Sequence, residues 1–283
     1  MVTARPLVIS QKQVTAFLAP RPRDSHKGLF GTVAVIGGNT GMIGAALLAG
    51  RAALKLGAGC VHVGMLAEGA PSVDMQQTEL MLHSAKTALT ISGLNVVVVG
   101  CGMGKDAAAQ KILHDTLQLD ATLILDADAL NILAIRPDLR SLLLARKLPG
   151  VITPHPGEAA RLLGITTEEI QAARIPSAVE LAKRLKCNVI LKGADSLCVT
   201  QDGKIWLNST GNPGMSAPGM GDVLSGMIAA LIAQGLSIDQ AMLLAVHLHG
   251  AAGDALAQQQ ASIGMTATEV AEWSRWLLNQ WIK

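Results

Sequence analysis

The sequence predicts an α/β fold built on one mainly parallel sheet with helices on both faces, and three observations carry that expectation. Short β-branched runs alternate with longer Ala/Leu-rich segments along the 283 residues, the pattern of repeated βα units. Runs such as Val96-Val97-Val98-Val99 show no polar alternation, as befits strands buried on both faces. Half of the residues are hydrophobic and only 2% are aromatic, so aliphatic side chains must fill a sizeable core.

Strands are expected at residues 32–36, 60–65, 95–99, 123–125, 151–153 and 189–192. Two later runs, 196–200 and 205–208, are joined by Gln201-Asp202-Gly203-Lys204. That is a hairpin signal, so the sheet becomes mixed at that end. Helices are expected at 44–56, 106–117, 157–163, 177–185 and 221–234. In 237–258 apolar residues recur every three and four positions, and Ser237 and Asp239 suit its start. The last helix, 266–282, carries Trp273, Trp276 and Trp281. The spacing puts the first two on one face, to pack on the body or on a neighbouring subunit. No repeat and no low-complexity linker divides the chain, which reads as one domain over residues 1–283.

Composition excludes several classes of partner. The 23 Lys+Arg against 21 Asp+Glu leave a formal net charge of +2, and no stretch gathers the five or six like charges of a basic arm. With two Phe and no Tyr, stacking on single-stranded nucleic acid is disfavoured as well. Mean hydropathy is +0.38, yet the longest apolar runs, such as 223–233, fall short of the ~18 to 20 residues of a spanning helix. Pro6-Leu7-Val8-Ile9 is too short for the apolar part of a secretion signal. Cys60, Cys101, Cys187 and Cys198 show no CxxC spacing and sit among apolar residues, which reads as reduced, buried thiols in a cytoplasmic protein.

In open α/β sheets ligands bind beyond the carboxyl ends of the strands. Here Gly37-Gly38-Asn39-Thr40-Gly41, Gly100-Cys101-Gly102-Met103-Gly104, Asp126-Ala127-Asp128, Pro154-His155-Pro156-Gly157-Glu158 and Lys192-Gly193-Ala194-Asp195 follow five predicted strands. Neither glycine cluster has the acidic residue of a dinucleotide fingerprint about 20 residues on, so hydride transfer on a Rossmann fold is disfavoured. The sharpest segment runs from Asn208 through Gly211-Asn212-Pro213-Gly214-Met215 to Gly219-Met220-Gly221-Asp222 and straight into an apolar helix. Unpaired N–H groups and the macrodipole make such a helix start an anion site. Asp222 reads there either as an N-cap or as a base that takes a proton from an attacking hydroxyl, and a carboxylate beside a phosphate site favours the base.

Taken together, Asp126-Ala127-Asp128-Ala129-Leu130-Asn131, Thr153-Pro154-His155-Pro156-Gly157-Glu158, Lys192-Gly193, Gly211-Asn212-Pro213-Gly214-Met215 and Gly219-Met220-Gly221-Asp222 resemble the ADP-dependent NAD(P)H-hydrate dehydratase family of the ribokinase-like superfamily. The resemblance runs from about Gly31 to Gly253. It implies a three-layer α/β/α sandwich with a central mostly parallel sheet, residues 1–30 as an N-terminal extension, and no epimerase domain.

It also implies repair of nicotinamide cofactors hydrated at C6: ADP phosphorylates the 6-hydroxyl of the S epimer, giving AMP, and loss of phosphate restores NADH or NADPH. By resemblance the hydrated nucleotide lies against Ala45, Gly102, His155 and Asp222, with Asp222 as catalytic base. ADP or AMP lies along Lys192, Gly193, Ala194, Asp195, Ser196 and Gly221, and N–H groups of Gly219, Met220 and Gly221 form the anion hole. Glu158 corresponds to an acidic residue that organises Mg²⁺ through water. The family implies a homo-oligomer, with tetramers usual, working beside a separate NAD(P)H-hydrate epimerase.

The chain departs from the family at Cys101 and Met103, where Gly-Pro-Gly-Leu-Gly is usual, and at Pro218, which supplies no N–H. Other candidates point elsewhere. His247 and His249, two apart on a helix, face different ways and read as structural. Asp126, Asp128 and Asn131 read equally as cap residues or as contacts to phosphate-bound magnesium, and Asp126 stands outside the catalytic set. His62, His83 and His114 have no informative spacing. The competing functions are a kinase of a hydroxymethyl or hydroxyethyl heterocycle and a catalytically silent nucleotide-binding regulator.

Overall fold

A computed structural model describes residues 5–260 and 262–282. The strands are β1 (Leu7–Val8), β2 (Thr32–Gly37), β3 (Cys60–Met65), β4 (Met81–Ser84), β5 (Val96–Val99), β6 (Thr122–Leu125), β7 (Val151–Ile152), β8 (Asn188–Leu191), β9 (Ser196–Val199) and β10 (Ile205–Asn208). The helices are α1 (Gln11–Thr15), α2 (Ile43–Lys55), α3 (Ala85–Ala88), α4 (Ala107–Thr116), α5 (Ala127–Ile135), α6 (Pro137–Leu144), α7 (Pro156–Leu163), α8 (Thr167–Ala172), α9 (Arg174–Leu185), α10 (Met220–Ala233), α11 (Ile238–Gln259) and α12 (Ala267–Trp281).

All ten strands join one sheet in the order β1-β10-β9-β8-β7-β6-β5-β2-β3-β4. Only β9 runs antiparallel to its neighbours, as the hairpin signal predicts. Alternate residues face opposite layers: Val33 and Val35 of β2 and Val96 and Val98 of β5 pack into one core, Ala34, Ile36, Val97 and Val99 into the other. The first core is covered by α1, α2 and α10 to α12, the second by α3 to α9, which is the expected three-layer sandwich. Helix α10 is buried nearly all round, and Gly226 lets it cross α2 closely, because a Cβ there would run into the Ala49 carbonyl.

Chain order sets the site. After β2, β3 and β4 extend the sheet one way, and β5 returns to the other side of β2. The reversal sets the carboxyl ends of β2 and β5, with their glycine clusters, side by side at the switch point where such sheets bind ligands.

Sequence reasoning missed the edge strands β1 and β4 and the short helices α1, α3, α6 and α8. None has enough β-branched residues or full helical periods to stand out. Of the tryptophans, Trp276 is 53% exposed, although it meets Trp273 edge to face at 5.4 Å. Trp281 lies against His247. The cysteines are free; Cys60 is only partly buried. Among the described residues no helix is long and apolar enough to cross a membrane.

Candidate active site

The loops after β2 and β5 are zipped together. Gly38 N–H donates to the Cys101 carbonyl at 2.9 Å and Asn39 N–H to the Gly102 carbonyl at 2.7 Å. Gly37 has no space for a Cβ against the Cys101 carbonyl, and Gly102 sits at φ +58° with Ala45 3.0 Å from where its Cβ would be. Ala45 and Gly102 therefore adjoin. Asp128 accepts from Gly104 N–H at 2.8 Å and ties this loop to α5, so it acts as a loop anchor.

Helix α10 begins beside them. Its N-cap is Gly219 at φ +87°, which offers no side-chain cap; Asp222 lies inside the first turn and is not the cap. The N–H groups of Gly219, Met220 and Gly221 have no protein acceptor among the described residues, as a helix start requires of an anion site. Asp222 is half-buried. Burial first, and then the charge of Asp126, raises its carboxyl to about 6. The Cys101 thiol lies close to it, and burial with the carboxylates Asp222 and Asp126 holds that thiol well above the usual range. Cys101 is thus a neutral thiol beside Asp222, not the isolated apolar thiol that its neighbours in sequence suggest.

Lys192 and Asp126 meet at 2.8 Å, with side chains 20% and 1% exposed. Asp126 also accepts from Ser225 Oγ at 2.9 Å and from Ala127 N–H at 2.8 Å. Burial alone would raise Asp126, but the Lys192 charge and the hydrogen bonds outweigh it and hold the carboxyl below its ordinary value. Burial would lower Lys192, but Asp126 and Glu158 hold it up. The Lys192 ammonium lies 2.9 Å from where a Cβ on Gly221 would sit. A fixed cation therefore stands beside the open N–H groups. Asp126 holds it there, a role that sequence reasoning left unassigned.

The following loop is bent at Gly193 (φ +136°) and Asp195 (φ +55°). Arg174 Nη2 donates to the carbonyls of Leu191, Lys192 and Asp195 at 3.2, 3.3 and 3.4 Å, and Ser196 Oγ to that of Gly193 at 2.9 Å. Lys192 to Ser196 thus form a braced turn, with Ala194 at its tip. Arg174 was invisible in sequence because it comes from α9, some twenty positions earlier.

His155 caps α7. Its Nδ1 accepts from Gly157 N–H at 3.0 Å, so Nε2 carries the proton and faces Glu158 at 3.3 Å. Glu158 accepts from His155 N–H at 2.8 Å, completing a capping box. Its helix-start role is therefore present in the structure. Burial, first among its causes, raises Glu158 to about 7. Burial and the nearby Lys192 lower His155.

His249, read as structural, is buried near the Lys192 ammonium. Burial, and after it Lys192, lowers its ring to about 4, so it is neutral at physiological pH. A cavity of about 550 Å³ lies elsewhere, among Arg140, Arg161, Arg184 and leucines of the α5 to α9 layer, and includes none of the predicted site residues.

A family model described as NAD(P)H-hydrate dehydratase matches residues 33–275. The chain is similar to the ADP-dependent (S)-NAD(P)H-hydrate dehydratase of Neisseria meningitidis, 42% identical over 265 residues that cover 92% of this chain and 89% of that one. It is 40% identical over 264 residues to the bifunctional NAD(P)H-hydrate repair enzyme of Escherichia coli, covering 92% of this chain and 50% of that one. Among solved structures, the ADP/ATP-dependent NAD(P)H-hydrate dehydratase from Bacillus subtilis, co-crystallised with ATP/Mg²⁺, matches with a TM-score of 0.86 at 29% identity, covering 98% and 99% of the two chains.

Proposed function

The chain belongs to the NAD(P)H-hydrate dehydratase family, and from that premise we propose that it restores NADH and NADPH from the S epimers of their hydrates at the expense of ADP. The observation that carries the reading is Asp222: a half-buried carboxylate with no capping duty, raised to about 6, beside unpaired N–H groups and a fixed ammonium.

In the first step the 6-hydroxyl of the hydrate attacks the β-phosphorus of ADP. Asp222 accepts the hydroxyl proton, a P–O bond forms, and the bond to AMP breaks. The N–H groups of Gly219, Met220 and Gly221 and the Lys192 ammonium face the charge on the transferred phosphoryl group, so catalysis is positioning plus electrostatic stabilisation. In the second step the C6–O bond breaks, phosphate leaves, and loss of a proton from the ring restores the reduced nicotinamide. Ala45, Gly102 and His155 hold the hydrate, while Lys192 to Ser196 and Gly221 hold ADP.

Magnesium fits this site as a nucleotide-borne ion. Among the described residues no three His, Cys, Asp or Glu side chains converge as a cage, which suits an ion that keeps several waters and takes phosphate oxygens. Glu158, raised to about 7 chiefly by burial, would hold the ion through water. The ion would neutralise phosphate charge when bound. Assembly as a homotetramer in the cytoplasm, beside a separate epimerase for the R hydrate, completes the proposal.

The base must be ionised to work. With Asp222 raised to about 6, kcat/KM is expected to be flat above about pH 7 and to fall about tenfold per unit below about pH 6. A profile of kcat/KM against pH checks this, and a rate unchanged down to about pH 4.5 would remove Asp222 as the base.

A further inference from the structure

The segment between β10 and α10 is pinned along its length by α11. Thr210 Oγ1 donates to the His247 carbonyl at 3.0 Å. Gly250 and Gly253 lack side chains where Thr210 and Met215 press on the helix. Between these contacts Asp254 takes two hydrogen bonds: Gly211 N–H donates to Oδ2 at 2.8 Å and Asn212 Nδ2 donates to Oδ1 at 3.1 Å. The orientation of the Asn212 amide is settled by its other end, where Oδ1 accepts from Gly214 N–H at 3.0 Å. Each oxygen of Asp254 therefore faces a donor. Only an acceptor-only side chain of this length meets that requirement, because an Asn would set an NH₂ group against one of the donors.

We infer that Asp254 is a positioning residue for the reaction: it fixes the path of residues 211–215 and so the entry of the chain into Gly219 and the first turn of α10. The inference rests on the proposed function, since that turn holds the N–H groups and Asp222. Asp254 touches no reacting atom in this account. It acts through Gly211 and Asn212.

The pairing can be exchanged. In Asn212→Asp with Asp254→Asn, residue 212 still accepts from Gly214 N–H and now accepts from the residue 254 amide, whose oxygen still accepts from Gly211 N–H. Either single change creates a clash: two donors face each other in Asp254→Asn, and two carboxylates in Asn212→Asp.

The test measures kcat, KM for ADP and for the S hydrate of NADH, and thermal midpoint for the full-length wild type, both singles and the double. Each single is expected to lower kcat by about 10²-fold, the order of loss for slight misplacement of reacting groups, with KM for ADP changed less. The double is expected to return to within about tenfold of wild type, a coupling only partners show. Where a single does not fold, recovery in the double still supports the inference. A folded double as impaired as the singles, or singles with lowered thermal midpoints and wild-type kcat, would overturn it. An inactive wild type would overturn the functional reading and this inference with it, whereas an active wild type with unaffected singles would overturn this inference alone.

Discussion

Asp222→Asn is expected to lower kcat by about 10²-fold or more while ADP affinity stays near that of the wild type. The amide keeps the volume of the side chain, but at neutral pH it cannot take the hydroxyl proton. Binding should survive because the substitution removes a negative charge from beside a phosphate site. Stability should change in the opposite sense to activity. The folded Asp222 titrates near 6 because of burial and Asp126, above the ~3.9 of an unfolded aspartate. Stability tied to this group is thus full at acid pH and is lost as pH rises through that window. The Asn variant escapes the loss, so its thermal midpoint should pull ahead of the wild type between about pH 4 and pH 6. Steady-state kinetics, calorimetric ADP titration and melting curves check the three parts, and retained turnover would take Asp222 out of the mechanism.

Lys192→Met carries the second large effect. Asp126 is 1% exposed and meets Lys192 at 2.8 Å. Without the ammonium its charge is left with the Ser225 hydroxyl and a backbone N–H. Breaking one side of a buried pair costs about 3 to 5 kcal/mol, a large share of the stability of an ordinary domain. The sign of the pH dependence separates this from general damage. In the wild type Asp126 is held below its ordinary value, so its contribution is present above the unfolded value and lost as pH falls through the folded one. In the variant burial acts unopposed by Lys192 and raises the same group. The deficit against wild type should therefore be smallest in acid and grow as pH rises through about 4. Denaturant unfolding over this range measures it, and a deficit below about 1 kcal/mol at neutral pH would mean that the pair is solvated like a surface bridge. Activity should fall as well, since the fixed cation beside Gly221 is gone.

The parallel strands were legible because each is a short aliphatic run that has to be buried on both faces, and the glycine clusters marked their carboxyl ends. Edge strands β1 and β4 were not, since Leu7-Val8 is two residues long and Met81-Leu82-His83-Ser84 lacks β-branched residues. The candidate site divides the same way. Asp222, Lys192, Gly102 and His155 stand in contiguous motifs. What orients them comes from far along the chain: Asp126 reaches Lys192 across 66 positions, Arg174 reaches the loop after β8 from α9, and Asp254 reaches Gly211 across 43. Such contacts are made by the sheet order and leave no local pattern. Cys101 shows the limit most clearly, because apolar neighbours in sequence hid a carboxylate neighbour in space.

The most direct test incubates the purified chain with the S hydrate of NADH, ADP and Mg²⁺ while the absorbance of reduced nicotinamide, AMP and inorganic phosphate are followed together. NADH, AMP and phosphate are expected to appear in equimolar amounts. No recovery of NADH with either ADP or ATP would contradict the proposed function, as would a stable phosphomonoester accumulating in place of free phosphate, which is the behaviour of a small-molecule kinase.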